Sequence, residues 1–400
     1  MNTSSSERGA VRAVSQAYRG AVWAALGLTA SLAVAVAGQA RVAAQTTPQA
    51  AQPAMGEPVN VYAPNANPYA PPREDGEIHS QQVRGQVWLM TGEPGEANVA
   101  VHVGDQGVLV VDTGTEAMAP KLLAQIQRLA QERAGGQKAI RKVVNTNGRG
   151  DHIGGNAIVR KAGSQIISGE EAAQQRAFGS QGAEVVAHEN VLMRMVAEGA
   201  AAPSQELWPT DTEGFDIDNT RFNGEAVQIH HPQSANTDGQ LIVLFRGSDV
   251  IAAGDVVDMT TYPIIDVARG GTIDGELVAL NKVIAMAAPG NQAEGGTVIV
   301  PGHGRLCDQS DVVLYKNMIT AIRNVVQYYK NQGKTLQDVL ALKPTEGYDQ
   351  RWGRTSGPWT TRDFMTAVYN TLPAKGPVFF SMETMTVVPS TATPAGGKVF

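Results

Sequence analysis

The chain has 400 residues, a formal net charge of −6 and 18% charged residues. That length holds a large core, and the acidic balance argues against a nucleic-acid partner, whose binding surfaces are normally basic. Cys307 is the single cysteine, so an internal disulfide is excluded; a packed free thiol is its ordinary role, with metal ligation the alternative because it closely follows His303.

Residues 1–44 read as a secretory signal. Arg8, Arg12 and Arg19 precede an apolar run from Ala21 to Ala37, and Val42-Ala43-Ala44 offers a cleavage site, with Ala40 as the alternative. An uncleaved anchor is the other reading, because the run approaches spanning length. After cleavage no further stretch is expected to span a membrane, and the protein is expected in the periplasm or outside the cell. Residues 45–78, rich in Pro, Ala, Gln and Asn, read as a flexible linker. Residues 79–373 are expected to form one domain, and residues 374–400 a tail with an edge strand from Pro377 to Ser381.

Within the domain, Gln82 to Met90 and Asn98 to Val103 alternate apolar and polar positions and read as strands joined by a turn at Gly92-Glu93-Pro94-Gly95. Val108 to Val111 is a fully apolar strand. Leu122, Leu123, Ile126 and Leu129 recur at helical spacing over 116–130. A strand at 140–146, a helix at 155–162, a strand at 165–168 and a helix including Ala187 to Met195 follow. Strands are expected at 225–230, 241–245, 250–253 and 297–300, and helices at 275–287 and 311–330. The second helix carries Val312, Met318, Ile319, Ile322, Val325 and Tyr329 on a core-facing stripe. Two more helices are expected over 335–372. The stretch from Trp352 to Trp359 reads as a packed loop, with pocket lining as the alternative.

The segment from Asn145 to Gly155 carries the most chemistry. It leaves a strand, bends at Gly148, Gly150, Gly154 and Gly155, and holds Asn147, Arg149, Asp151 and His152. Four other segments stand in order around it: Gly107 to Gly114, ending in Asp-Thr-Gly; Ser234 to Gly239; Ala253-Gly254-Asp255; and Val300 to Gly304, containing His303. Together they resemble the metallo-β-lactamase superfamily, whose loop reads His-x-His-x-Asp-His followed by x-Gly-Gly. The chain departs from that pattern with Asn147, Arg149 and Asn236 at His positions. The resemblance implies an α/β fold, the αββα sandwich of that family; composition and periodicity alone give only mixed α and β.

It also implies two adjacent metal sites, of which the first looks lost. An amide is a poor zinc ligand, and a guanidinium stays protonated and cannot coordinate. The second set, Asp151, His152, Asp255 and His303, is complete and suits one divalent metal, zinc foremost, with iron or manganese as alternatives. The expected function is an exported single-metal hydrolase of a lactam, ester or thioester bond in a small-molecule substrate. In that reading Asp151 also orients the attacking water, and Asn147, Arg149 and Asn236 line the pocket and polarise the carbonyl. The alternative is a non-catalytic relative that keeps the fold to bind a small molecule or a partner. Arg149 carries two readings of its own: a salt bridge to Asp151 or Asp255, or a donor to an anionic substrate. Asp112 is expected to support a ligand by hydrogen bonding rather than bind metal. Asp238 reads as a turn former, and His230 and His231 as ordinary polar residues, with approach to the metal as the alternative.

Overall fold

Runs of Val, Leu, Ile and Ala, buried on both faces of the central strands, build two facing sheets in this chain. The computed structural model describes residues 75–136, 138–165, 182–292, 295–379 and 387–388, all within one compact unit. The expected signal segment, most of the linker, all but the first residue of the strand expected at 165–168 and most of the tail lie outside the described residues.

The first sheet runs β1 (His79–Arg84), β2 (Val87–Thr91), β3 (Val99–Gly104), β4 (Gly107–Val111), β5 (Ile140–Val144), β6 (Glu184–His188) and β7 (Asp211–Glu213) in spatial order. Its pairs are antiparallel up to β4 and parallel beyond it. The second sheet contains β8 (Ile217–Phe222), β9 (Glu225–His230), β10 (Ile242–Phe245), β11 (Val250–Asp258) and β12 (Val298–His303), in the order β12-β11-β10-β9-β8. All its pairs are antiparallel except β11 with β12.

Successive side chains of a strand point to opposite faces, and both sheets use this to bury two faces. Ala100, Leu109 and Val111 meet Val243, Val250, Ala252 and Val300 in a core between the sheets. Val99, Val101, Val108 and Val110 point the other way, onto Leu122, Ile126 and Leu129 of α1 (Ala119–Arg133). Ile251, Ala253 and Ile299 of the second sheet pack outward on α5 (Ile273–Met286), α6 (Gln309–Asn331) and α9 (Thr361–Thr371). The layers are therefore helix, sheet, sheet, helix, as expected. Between α1 and α5 lie α2 (Gly150–Ile153), α3 (Asn156–Lys161) and α4 (Glu189–Glu198). Among the described residues no helix is long and apolar enough to cross a membrane.

Several elements differ from expectation. The strand expected over 82–90 is broken at Gly85, whose φ of +55° starts a tight turn between β1 and β2. The helix expected from Ala187 begins at Glu189, because Glu184–His188 is a strand and the His188 side chain caps the helix. Beyond residue 335 there are three helices, α7 (Leu336–Ala341), α8 (Asp349–Trp352) and α9, not two. Capping boxes at Thr335/Asp338 and Thr360/Asp363 start α7 and α9 separately. Val378–Phe379 pairs with Val387–Val388 as a separate ribbon rather than at the edge of either sheet. Asn324 of α6 holds it, donating to the Phe379 carbonyl at 2.7 Å and accepting from its N–H at 3.1 Å. Trp352 and Trp359 pack against the outer core of the second sheet.

Candidate metal centre

The loop that leaves β5 is fixed by close packing. A Cβ on Gly155 would lie 2.4 Å from the Thr113 carbonyl oxygen, and one on Gly154 2.5 Å from the Glu116 nitrogen. Glycine is required at both positions for the loop to seat against residues 113–116. Ile153 anchors it from the other side, packed with Ala187, Val191 and Met195. Asp151 and His152 are thereby held in the single turn of α2. Gly254, at φ +52°, shifts the register of β11 beside β12. Asp255 and His303 come together at the C-terminal ends of these parallel strands, where α/β folds commonly present their chemistry. Asn236 sits in the loop between β9 and β10, with its carbonyl accepting from Asp266 N–H at 2.8 Å.

Asp255 is the hub, and its two oxygens face different neighbours. Oδ1 lies 3.0 Å from His152 Nε2 and 3.2 Å from His303 Nδ1. Oδ2 lies 3.2 Å from Arg149 Nε, 3.3 Å from Asn147 Nδ2 and 3.4 Å from Asn236 Nδ2. The three residues that replace family histidines thus converge on one carboxylate oxygen. Asn147 turns its Nδ2 to Asp255, and its Oδ1 accepts the Arg149 backbone N–H at 2.9 Å. Asp151 Oδ2 completes the cluster, 3.2 Å from His303 Nε2 and 3.3 Å from Arg149 Nη2. Behind it, Asp112 accepts from His152 Nδ1 at 2.8 Å, from Thr146 N–H at 2.7 Å and from Thr146 Oγ1 at 2.7 Å. Asp112 therefore orients His152, the supporting role its Asp-Thr-Gly setting suggested.

The charges are mutually compensating. Burial alone would lower His152, but Asp255 and Asp112 raise it well above its ordinary value. His303 is likewise pushed by Asp151 and Asp255, against burial, up to about 10. Burial would raise Asp255, but His152 and His303 hold it well below the usual carboxylate range. Asp151 is lowered in the same way, chiefly by its hydrogen bond to His303 against the effect of burial. Without metal, two imidazoliums and Arg149 balance Asp112, Asp151 and Asp255.

Donor chemistry decides which metal positions these residues can fill. Asp151, His152 and His303 each offer a ligand atom, all within 4.8 Å of one another. Around a tetrahedral ion with bonds of roughly 2.0–2.2 Å, donors lie about 3.3–3.6 Å apart. The separations of 3.0 Å and 3.2 Å from Asp255 Oδ1 to the two imidazoles are close to that spacing. On the Oδ2 side, Asn147, Arg149 and Asn236 present N–H groups where ligands would be needed. Asp151, His152 and His303 suit a divalent ion.

Other candidates fall elsewhere. Cys307 is fully buried in a two-way backbone bridge with Ile299, and burial pushes its thiol well up. His230 and His231 are outside the cluster. Two buried groups carried no readable signal. Glu276 of α5 is fully buried, and burial pushes it well up. His188 stacks on His231. A cavity beside the centre is lined by Gly148, Val191, Arg194, Met195, Thr237 and Arg269, among others.

The profile described as the metallo-beta-lactamase superfamily matches residues 92–303. None of the curated proteins matches the chain. Among solved structures, the metallo-beta-lactamase from Pontibacter korlensis is similar at 17% identity and a TM-score of 0.43, covering 61% of this chain and 99% of that one. The stereoselective inverting sec-alkylsulfatase Pisa1 from Pseudomonas sp. is similar at 13% identity and a TM-score of 0.51. That match covers 73% of this chain but only 50% of the sulfatase.

Proposed function

The chain belongs to the metallo-beta-lactamase superfamily, whose profile spans more than half of it, and from that premise we propose that it is a hydrolase working with a single divalent metal. The observation that carries the proposal is the division of Asp255: Oδ1 faces two imidazoles, and Oδ2 accepts from the Asn147 and Asn236 amides and lies within ion-pair distance of Arg149. Asp151, His152, Asp255 and His303 would hold the ion, with zinc the expected metal and iron or manganese the alternatives. Such an ion supplies Lewis acidity and an activated water near neutral pH, with a pKa of roughly 7. Asp151, partly open to solvent, orients the attacking water as a hydrogen-bond acceptor. Arg149, its side chain 25% exposed, reaches the open side and donates to oxygen as charge develops there. Asn147 and Asn236, both fully buried, hold Asp255 in place through its Oδ2. The substrate is a small molecule with a lactam, ester or thioester bond. Export through residues 1–44 belongs to the same proposal; mature protein should begin near Arg41 or Gln45, and an intact Met1 on secreted material would overturn that part.

A second reading has its own observation. Arg149 lies within ion-pair distance of both Asp151 and Asp255, so the centre is charge-balanced with no metal. A non-catalytic binding protein would look like this. Elemental analysis of purified protein separates the two. The hydrolase predicts about one equivalent of transition metal per chain, lost in His303→Ala. A folded protein that takes up no metal, or a His303→Ala variant that loads fully, refutes it.

A further inference from the structure

The helix α4 is latched by two buried histidines that the candidate centre does not use. Nδ1 of His188 caps the helix by accepting the Asn190 backbone N–H at 3.2 Å. Its ring stacks on His231, with centroids 3.6 Å apart and planes 15° from parallel. His231 Nδ1 in turn donates to the Gln240 carbonyl at 2.9 Å. Both rings are buried. The cap requires a lone pair on His188 Nδ1, so the latch is closed only while that ring is neutral.

What α4 holds in place is visible in its contacts. A Cβ on Gly148 would lie 2.9 Å from one methyl of Val191, and a Cβ on Gly239 2.7 Å from the other. Val191 is therefore wedged between the loop carrying Asn147 and Arg149 and the loop carrying Asn236. The same helix face contributes Val191, Arg194, Met195 and Glu198 to the cavity beside the centre.

We propose that α4 is an acid-released wedge: protonation of His188 breaks the cap and the stack, frees the helix, and withdraws Val191 from between the two loops. Three effects act in one direction. The cap acceptor is lost, a cation is placed at a helix N-terminus, and charge is brought against the stacked His231 ring. Asp216 and Asp238 face the pair and offset part of this, while Lys282 donates to the His231 carbonyl at 3.3 Å. Burial, then His231, lowers His188 to about 4 in the closed state. A released His titrates near 6.5. The latch therefore weakens as pH falls below about 6.5 and is fully weakened below about 4. The effect on catalysis rests on the function proposed above; the release itself does not.

Hydrogen exchange on the full chain in chelator tests it, with rates corrected for the intrinsic effect of pH. Between pH 7 and pH 4, protection of the α4 amides should fall at least tenfold while α6 keeps its protection. His188→Asn retains a cap and cannot titrate, so its α4 should stay protected at pH 4. Unchanged α4 protection in the native chain, an equal loss in His188→Asn, or simultaneous opening of α6 would overturn the proposal. If His188→Asn does not fold, His231→Phe keeps an aromatic stack without the second imidazole and should lower the midpoint; an unmoved midpoint is equally fatal. No readout involves metal, so failure of the hydrolase reading leaves this test intact.

Discussion

Arg149→Met is the most decisive single change. It keeps the aliphatic stem and removes the guanidinium that lies 3.2 Å from Asp255 Oδ2 and 3.3 Å from Asp151 Oδ2. Breaking a fully buried pair costs about 3–5 kcal/mol, whereas exposed pairs are worth about 0–1 kcal/mol. Here Asp255 is 3% exposed and Arg149 25% exposed. Asp255 Oδ2 would retain only the longer contacts from Asn147 and Asn236. The expected loss in metal-free protein is therefore about 2–3 kcal/mol, between the two limits. With a urea slope of about 2–3 kcal/mol per molar, the midpoint should fall by about 1 M. Circular dichroism through a urea series, with chelator, measures it. Bound metal should shrink the loss, because the ion then neutralises the same carboxylates. A metal-free loss below about 0.5 kcal/mol would refute the neutralising role. A fall of about 10²–10³ in catalytic efficiency of the metal-loaded, folded variant would report the second role proposed for Arg149, donation to the substrate.

Other outcomes follow from the same geometry. The combined change Asn147→His, Arg149→His and Asn236→His should restore a second metal equivalent by elemental analysis; a well-folded triple variant that binds no more metal than the parent would show that these loops lack ligand geometry. His303 is raised in the folded state, so its contribution is fully present below about pH 6.5 and is lost as pH rises through about 10. Urea midpoints of metal-free protein should fall across that window, and midpoints that climb would contradict the assignment. Gly155→Ala forces a Cβ to within 2.4 Å of the Thr113 carbonyl. It should destabilise by about 1–3 kcal/mol or more, read as a lower thermal midpoint, and an unchanged midpoint would mean the loop shifts freely.

Much of the architecture was legible because β4 and the first halves of β11 and β12 are short apolar runs and α6 carries an apolar stripe, although Val325, expected on that stripe, is exposed, and Arg323 and Gln327 are buried on the helix. The loop from Asn145 to Gly155 was legible because its glycines and polar residues have few other uses. The strands β7 and β8 escaped notice because they bury little: Asp211–Glu213 has no buried residue, and of Ile217–Phe222 only Phe222 is buried. The boundary at His188 differs from expectation because a strand whose last side chain caps the following helix has the pattern of an early helix turn. The convergence on Asp255 was beyond the sequence for a different reason. Positions 147, 149, 236 and 255 are brought together by the pairing of two sheets, and local pattern says nothing of which carboxylate oxygen each one meets. Glu276 and the stacked His188 and His231 were hidden in the same way.

The sharing of one oxygen among three donors also bears on how such a site changes over generations. Each contact to Asp255 Oδ2 is long, between 3.2 and 3.4 Å, and removing one leaves two. Each of the three can therefore be exchanged singly without leaving the carboxylate bare, although only Arg149 brings a compensating charge. Exchange of Asn147 or Asn236 alone is the small step of such a change, and exchange of Arg149, at about 2–3 kcal/mol, is the large one.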